Sequence, residues 1–165
     1  MARPVRLAGF EYRGLYRYFV TICTLDRVVR FRDAPLVEEI LSLFLEQADA
    51  HGFAVIAYCF MPDHAHLLVE GRRGDADLHR FMHAAKQHTG FEFGRRCPGQ
   101  TLWQKGYYER ILRDDDATGD VTRYILANPV RAELVQEPHD YPFSGSLEFT
   151  RDQLDDLWTG REWHP

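Results

Sequence analysis

The chain has 165 residues, with 20 Lys and Arg against 25 Asp and Glu and a formal net charge of −5. That length suits one domain with enough buried surface to fold unaided. Three cysteines, Cys23, Cys59 and Cys97, are too few and too scattered for a disulfide framework or a paired-cysteine metal knuckle, and read as reduced thiols of a cytoplasmic protein. No stretch approaches the roughly 20 apolar residues of a membrane span, and the N-terminus lacks an apolar signal core. The acidic total argues against a nucleic-acid partner, but the charge comes in blocks. Residues 1–32 carry seven basic and two acidic side chains, and residues 71–113 carry nine and four. Residues 33–70 have seven acidic and no basic ones, and residues 114–165 have twelve against four. Two basic blocks brought together would make one positive face, so total charge is a weak veto.

In chain order, Leu15 to Thr24 (LYRYFVTICT) is rich in aromatic and β-branched residues and predicts a strand. Asp33 is placed to cap a helix with Pro35 in its first turn, and Val37, Ile40, Leu41, Phe44 and Ala48 follow at helical spacing up to His51-Gly52. Phe53 to Phe60 predicts a second strand, Met61-Pro62-Asp63 a turn, and His64 to Glu70 a third strand antiparallel to the second. After Gly71–Gly74, Leu78, Phe81, Met82 and Ala85 mark a helix from about Asp75 to His88, and 94–99 reads as a loop. Leu102 to Arg113 predicts an interrupted strand or hairpin. Beyond Asp114-Asp115-Asp116 a third helix runs to about Ala127, stopped by Asn128-Pro129, and a weak helix is expected from about Asp152. The order β-α-β-β-α-β predicts an α+β, ferredoxin-like antiparallel sheet with two helices on one face and an extra C-terminal helix over the open one.

Alternation places His64, His66 and Leu68 on one side of their strand and Ala65, Leu67 and Val69 on the other. The second set suits a helix-covered core, which leaves two imidazoles together on the open face, close enough to share a metal ion. The plain alternative is two polar residues on a solvated strand. Val121, Tyr124, Ile125 and Asn128 form one helical stripe. A helix returning over the open face would bring Tyr124 and Asn128 towards the histidines, and a phenol, a carboxamide and two imidazoles make a metal-assisted nucleophilic site.

MPDHAHLLVE, LWQKGYYERILRDDD and YILANPVRAELV resemble the REP-associated tyrosine transposases, which belong to the HUH single-tyrosine transposases. The likeness runs from about residue 6 to Ser146, with Ala65 smaller than the bulky residue often found between the two histidines. It implies one catalytic domain over residues 1–150, with 151–165 a tail of unassigned role. It also implies His64 and His66 on a divalent metal, Mg²⁺ or Mn²⁺, with Asn128 as third ligand, and Tyr124 as nucleophile. The implied reaction cuts and rejoins hairpin-forming single-stranded DNA, repeated extragenic palindromes in this family, through a 5′-phosphotyrosine link. A cytoplasmic, nucleoid-associated monomer is expected over a homodimer.

Arg13, Arg17, Arg72, Arg73, Lys86, Arg95 and Arg96 are candidate phosphate contacts, with Trp103 and Tyr107 as base-stacking partners. Tyr107 and Tyr108 are rival nucleophiles on a strand, of which at most one faces the site. His79 and His83 have a metal-compatible helical spacing but read as a solvated helix face. Two other functions fit the residues: a non-catalytic module that stacks single-stranded nucleic acid on its open sheet, and a zinc-dependent hydrolase using His64, His66 and Cys59 or Asp63.

Overall fold

A computed structural model describes residues 9–113 and 118–158. Five antiparallel strands, β1 (Arg17–Cys23), β2 (Phe53–Met61), β3 (His64–Gly71), β4 (Tyr108–Ile111) and β5 (Ser144–Ser146), lie in the order β4-β1-β3-β2-β5. The first four have the ferredoxin-like arrangement expected from the sequence, and β5 adds an edge beside β2. Four α-helices accompany them among the described residues: α1 (Ala34–Ala50), α2 (Leu78–Arg96), α3 (Thr118–Arg131) and α4 (Arg151–Leu157).

The two faces have separate cores. On one, Tyr18, Val20 and Ile22 of β1 and Ala65, Leu67 and Val69 of β3 pack against Ile40 and Phe44 of α1 and Phe81 and Met82 of α2. On the other, Phe19, Ala57, Cys59 and Leu68 meet Val121 and Ile125 of α3 and Tyr141. The α1–β2 turn uses Gly52 at φ +74°, a conformation that glycine adopts without steric cost.

Several boundaries differ from the sequence expectation. Asp33 stands at the N-cap of α1 but makes no capping bond; its carboxylate pairs with Arg96 at 2.7 Å instead. Asp77 caps α2, accepting from the Arg80 N–H. That helix passes His88 and ends at Arg96, because Thr89 and Phe93 extend its buried stripe; packing overrides the weak propensities of Thr89 and Gly90. The Leu102–Arg113 segment keeps only β4 and an isolated bridge between Trp103 and Thr24 as sheet.

The third helix also continues through Asn128-Pro129 to Arg131. Pro129 has no N–H for the Ile125 carbonyl. The Asn128 Nδ2 group supplies a donor there at 3.3 Å and also bonds the Tyr124 carbonyl at 2.8 Å. The acidic stretch Asp114-Asp115-Asp116 lies outside the described residues. In the C-terminal tail, Thr150 and Gln153 form a reciprocal capping box that starts α4, which packs on α3.

Candidate active site

His64 and His66 sit at the hairpin end of β3 and point to the α3 face, as the alternation requires. Their Nε2 atoms are 3.1 Å apart. Each ring is held from behind. The His64 Nδ1–H donates to Asp63 Oδ1 at 2.6 Å, and Arg27 Nε donates to Asp63 Oδ2 at 2.8 Å. His66 Nδ1 lies 2.9 Å from the Thr21 hydroxyl, and its ring stacks on Phe19 at 5.4 Å. Burial pushes the His66 pKa down to about 3, helped by the charges of His64, Arg27 and Arg131. Burial also lowers that of His64, against the opposing pull of Asp63. Both rings are therefore neutral at pH 7, the state that offers lone pairs to a cation.

Arg27 reaches Asp63 from a short turn after β1 in which Asp26 and Arg27 both have positive φ, 53° and 58°. Such a conformation costs a non-glycine residue on the order of 1 kcal/mol. Arg27 and Thr21 carry no motif-level signal, and neither stands out in the sequence as a site residue. Asp63 does, but as a turn residue or a zinc ligand; both of its oxygens are instead bonded to Arg27 and His64.

α3 lies across this face. Tyr124 and Phe19 meet edge to face, ring centroids 5.8 Å apart, and Phe19 in turn stacks on His66. The Arg131 guanidinium stands 4.8 Å over the Tyr124 ring. The bonds from Nδ2 to the helix fix the plane of the Asn128 amide. Of the two rival tyrosines, Tyr108 is the one on this face. It is paired with Thr21 on β1, which is paired in turn with His66 on β3.

The candidate DNA contacts do not gather on one face. Arg13, Arg17, Arg72 and Arg73 lie towards the end of the sheet where Arg17 pairs with Glu70. Arg95 and Arg96 end α2 at the other end. Arg72 is paired with Glu70 and Glu148, Arg73 with Asp75, Arg95 with Glu92, and Arg96 with Asp33 and Glu39. Arg17 donates to the Thr118 hydroxyl. Arg13 and Arg17 of the first basic block thus lie at the same end of the sheet as Arg72 and Arg73 of the second, while Arg95 and Arg96 lie apart from them. Trp103 is a core residue: 7% exposed, packed on Phe31 and Phe44, its Nε1–H donating to Thr89 Oγ1. Its indole is not presented for base stacking. Lys86 and Tyr107 lie apart from the histidines, on the α2 side.

The two other readings lose support. Cys59 is fully buried and burial pushes its thiol up to about 12, which disfavours a zinc thiolate. The sheet face that would stack bases in a binding module is covered by α3.

A ferredoxin-like antiparallel sheet, with an HxH pair facing a helix that carries a tyrosine, defines a single-tyrosine transposase type of fold. Residues 13–128 match the family described as "Transposase IS200 like", and the chain belongs to it. It is 28% identical over 145 residues to a Haemophilus influenzae protein named as a candidate REP-associated tyrosine transposase, covering 82% of this chain and 81% of that one. The Escherichia coli K12 REP-associated tyrosine transposase is 29% identical over 93 residues, 56% of this chain and 53% of that one. Among solved structures, a REP-associated tyrosine transposase bound to a REP hairpin matches with a TM-score of 0.66 at 21% identity, covering 85% of this chain and 81% of that one. A candidate transposase from Deinococcus radiodurans R1 matches at 0.53 and 18%, over 83% of this chain and 97% of that one. No helix among the described residues is long and apolar enough to cross a membrane.

Proposed function

We propose that this chain cuts and rejoins hairpin-forming single-stranded DNA, with Tyr124 as nucleophile and His64, His66 and Asn128 holding a divalent ion, Mg²⁺ or Mn²⁺. The observation that carries this reading is the convergence of two neutral imidazoles, Nε2 to Nε2 at 3.1 Å, on the face that Tyr124 crosses. Two donors at right angles on one ion, each ~2.1 Å from it, stand about 3.0 Å apart, so the pair fits a shared cation. Among the described residues no cluster of three His, Cys, Asp or Glu side chains completes such a site. The family resemblance assigns the Asn128 carbonyl oxygen as the third donor, and open positions are left for phosphate and water.

When bound, the ion would polarise a non-bridging phosphate oxygen and stabilise the charge that develops there. The protein's own groups do the rest. The Tyr124 oxygen attacks the scissile phosphorus and forms the P–O bond of a 5′-phosphotyrosine. The 3′ oxygen leaves and, once protonated, becomes a free 3′-hydroxyl, so no nucleotide cofactor is needed for rejoining. Arg131 keeps the phenol ring in place and adds positive charge beside it. Asp63 and Arg27 hold His64, and Thr21 holds His66, so the imidazoles need little rearrangement. Because α3 covers the sheet of its own chain, one chain supplies the whole set, and a cytoplasmic monomer acting on hairpins is the expected form.

The test is a denaturing gel of the protein with end-labelled hairpin strands and Mn²⁺. A covalent adduct carrying the 3′-side label, absent in Tyr124→Phe and retained in Tyr108→Phe, is the expected result. Loss in Tyr108→Phe alone would transfer the nucleophile to β4. Adduct-free binding across varied hairpins and metals would leave a binding module.

A further inference from the structure

A proline in a helix interior withholds one backbone donor and crowds the carbonyl four residues back, and it usually ends the helix. In α3 it does not. Beyond Pro129 the helix is bonded to its end, with Ala132 N on the Asn128 carbonyl at 3.0 Å and Leu134 N closing onto the Pro129 carbonyl at 2.9 Å. The disturbance is confined to the Ile125 carbonyl, whose regular partner would be the N–H of residue 129. That carbonyl is used in another way. Asn128 Nδ2 donates to it at 3.3 Å and to the Tyr124 carbonyl at 2.8 Å. A carbonyl oxygen only accepts, so the end of the Asn128 amide turned to the helix has to be the nitrogen. Turning the amide over would set Oδ1 against two carbonyl oxygens. Oδ1 is the end left over, and it makes no hydrogen bond among the described residues.

We propose that Pro129 is a positioning residue: it hands the Ile125 carbonyl to Asn128 Nδ2 and thereby reserves Oδ1 for the divalent ion. The proposal rests on the reading of Asn128 as third ligand given above. An amide offers a cation one good end and one bad one, since Oδ1 carries lone pairs while Nδ2 carries two hydrogens and repels positive charge. With alanine at position 129 the backbone N–H would occupy the Ile125 carbonyl, and only the Tyr124 carbonyl would hold Nδ2. The amide would then turn over more easily. Pro129 is buried and acts through Asn128 alone. Because the first bond goes to Tyr124 itself, the phenol and the amide oxygen are set by one turn of the same helix.

The experiment is Mn²⁺ titration calorimetry of the full chain without DNA. It compares the parent chain, Pro129→Ala, Asn128→Asp and the double variant Asn128→Asp/Pro129→Ala, with Asn128→Ala alongside. A carboxylate has two oxygens and no wrong end, so it needs no help in choosing which atom faces the ion. The expected result is that Pro129→Ala lowers Mn²⁺ affinity about tenfold in the parent chain and leaves it unchanged in the Asn128→Asp chain. Urea unfolding should show no loss of stability in Pro129→Ala, because a backbone bond is restored. Pro129→Ser, which restores the same N–H with a different side chain, must behave alike. An equal loss of affinity in both backgrounds means that the helix has shifted, and overturns the proposal. So does an unchanged affinity in Pro129→Ala where Asn128→Ala lowers it, since Asn128 is then a ligand that needs no such help. If Asn128→Ala binds Mn²⁺ as the parent chain does, the third-ligand reading and the proposal fall together.

Discussion

The two faces of the sheet are written on alternate residues of the same strands, yet they serve different ends. On the α1–α2 face β3 contributes Ala65, Leu67 and Val69, all fully buried, against helices with long apolar stripes. On the α3 face the same strand contributes His64, His66 and Leu68, and its neighbour β1 adds Phe19 and Thr21. One face is sealed mostly by hydrocarbon, with few polar groups such as the Trp103–Thr89 hydrogen bond. The other carries polar atoms that stay underground because each has a partner: Thr21 for His66, Asp63 for His64, Arg27 for Asp63. The first layer is built for packing and the second holds the groups to which the chemistry is assigned in our proposal, and a period of two residues keeps them from interfering.

Substitutions can break that division. The largest expected loss of stability is on the sealed face: Leu67→Ala should cost about 2–5 kcal/mol in denaturant unfolding and leave adduct formation per folded molecule unchanged. Asp63→Asn attacks the other face. It removes the carboxylate behind His64 and should weaken Mn²⁺ binding 10–100-fold, measured by calorimetry, with a smaller change in stability. If Mn²⁺ affinity were indifferent to Asp63, the histidines would not be a metal pair.

A pH series sharpens the contrast further. His66 is held at about 3 when folded and returns to about 6.5 when unfolded. Below pH 6.5 the unfolded chain therefore takes up a proton that the folded one refuses. Stability should be full above that pH and fall as pH drops towards 3, by at most about 1.4 kcal/mol per unit from this group. Unfolding curves at pH 7, 6 and 5 in chelator should show this, and His66→Gln should reduce the slope. The smallest effect belongs to a helix end on the sealed side. Asp77→Ala removes the α2 cap and should lower stability by ~1 kcal/mol without touching the adduct assay.

Much of this was legible in the sequence where local rules act alone. Alternation in HAHLLVE assigned the two faces, and the helical stripe through Tyr124 and Ile125 aimed α3 at the open one. Pro129 misled, because pre-proline bias argues for a stop and the compensating bond comes from a side chain, Asn128, that only a finished helix positions. Trp103 read as a surface aromatic because nothing local reveals that Phe31, Phe44 and Thr89 surround it. The scatter of the arginines was equally hidden, since the composition of a block gives its charge but not the carboxylates that other elements bring beside it. Arg27 reaches Asp63 through two left-handed residues without a glycine, a turn with no propensity signature.

The row from Arg27 to Thr21 also sets where protons reside. Asp63 keeps the His64 proton on Nδ1, so His64 Nε2 is a bare lone pair. The neighbouring His66 Nε2 must then carry a hydrogen to make the 3.1 Å contact, and its Nδ1 accepts from the Thr21 hydroxyl. To present both Nε2 lone pairs to a cation, His66 has only to shift its hydrogen from one side of the ring to the other, while the Thr21 hydroxyl rotates from donor to acceptor. Loading such a site is thus a change of tautomer with no net release of protons. A threonine at position 21 suits it because one hydroxyl can play both parts, which valine of the same shape cannot.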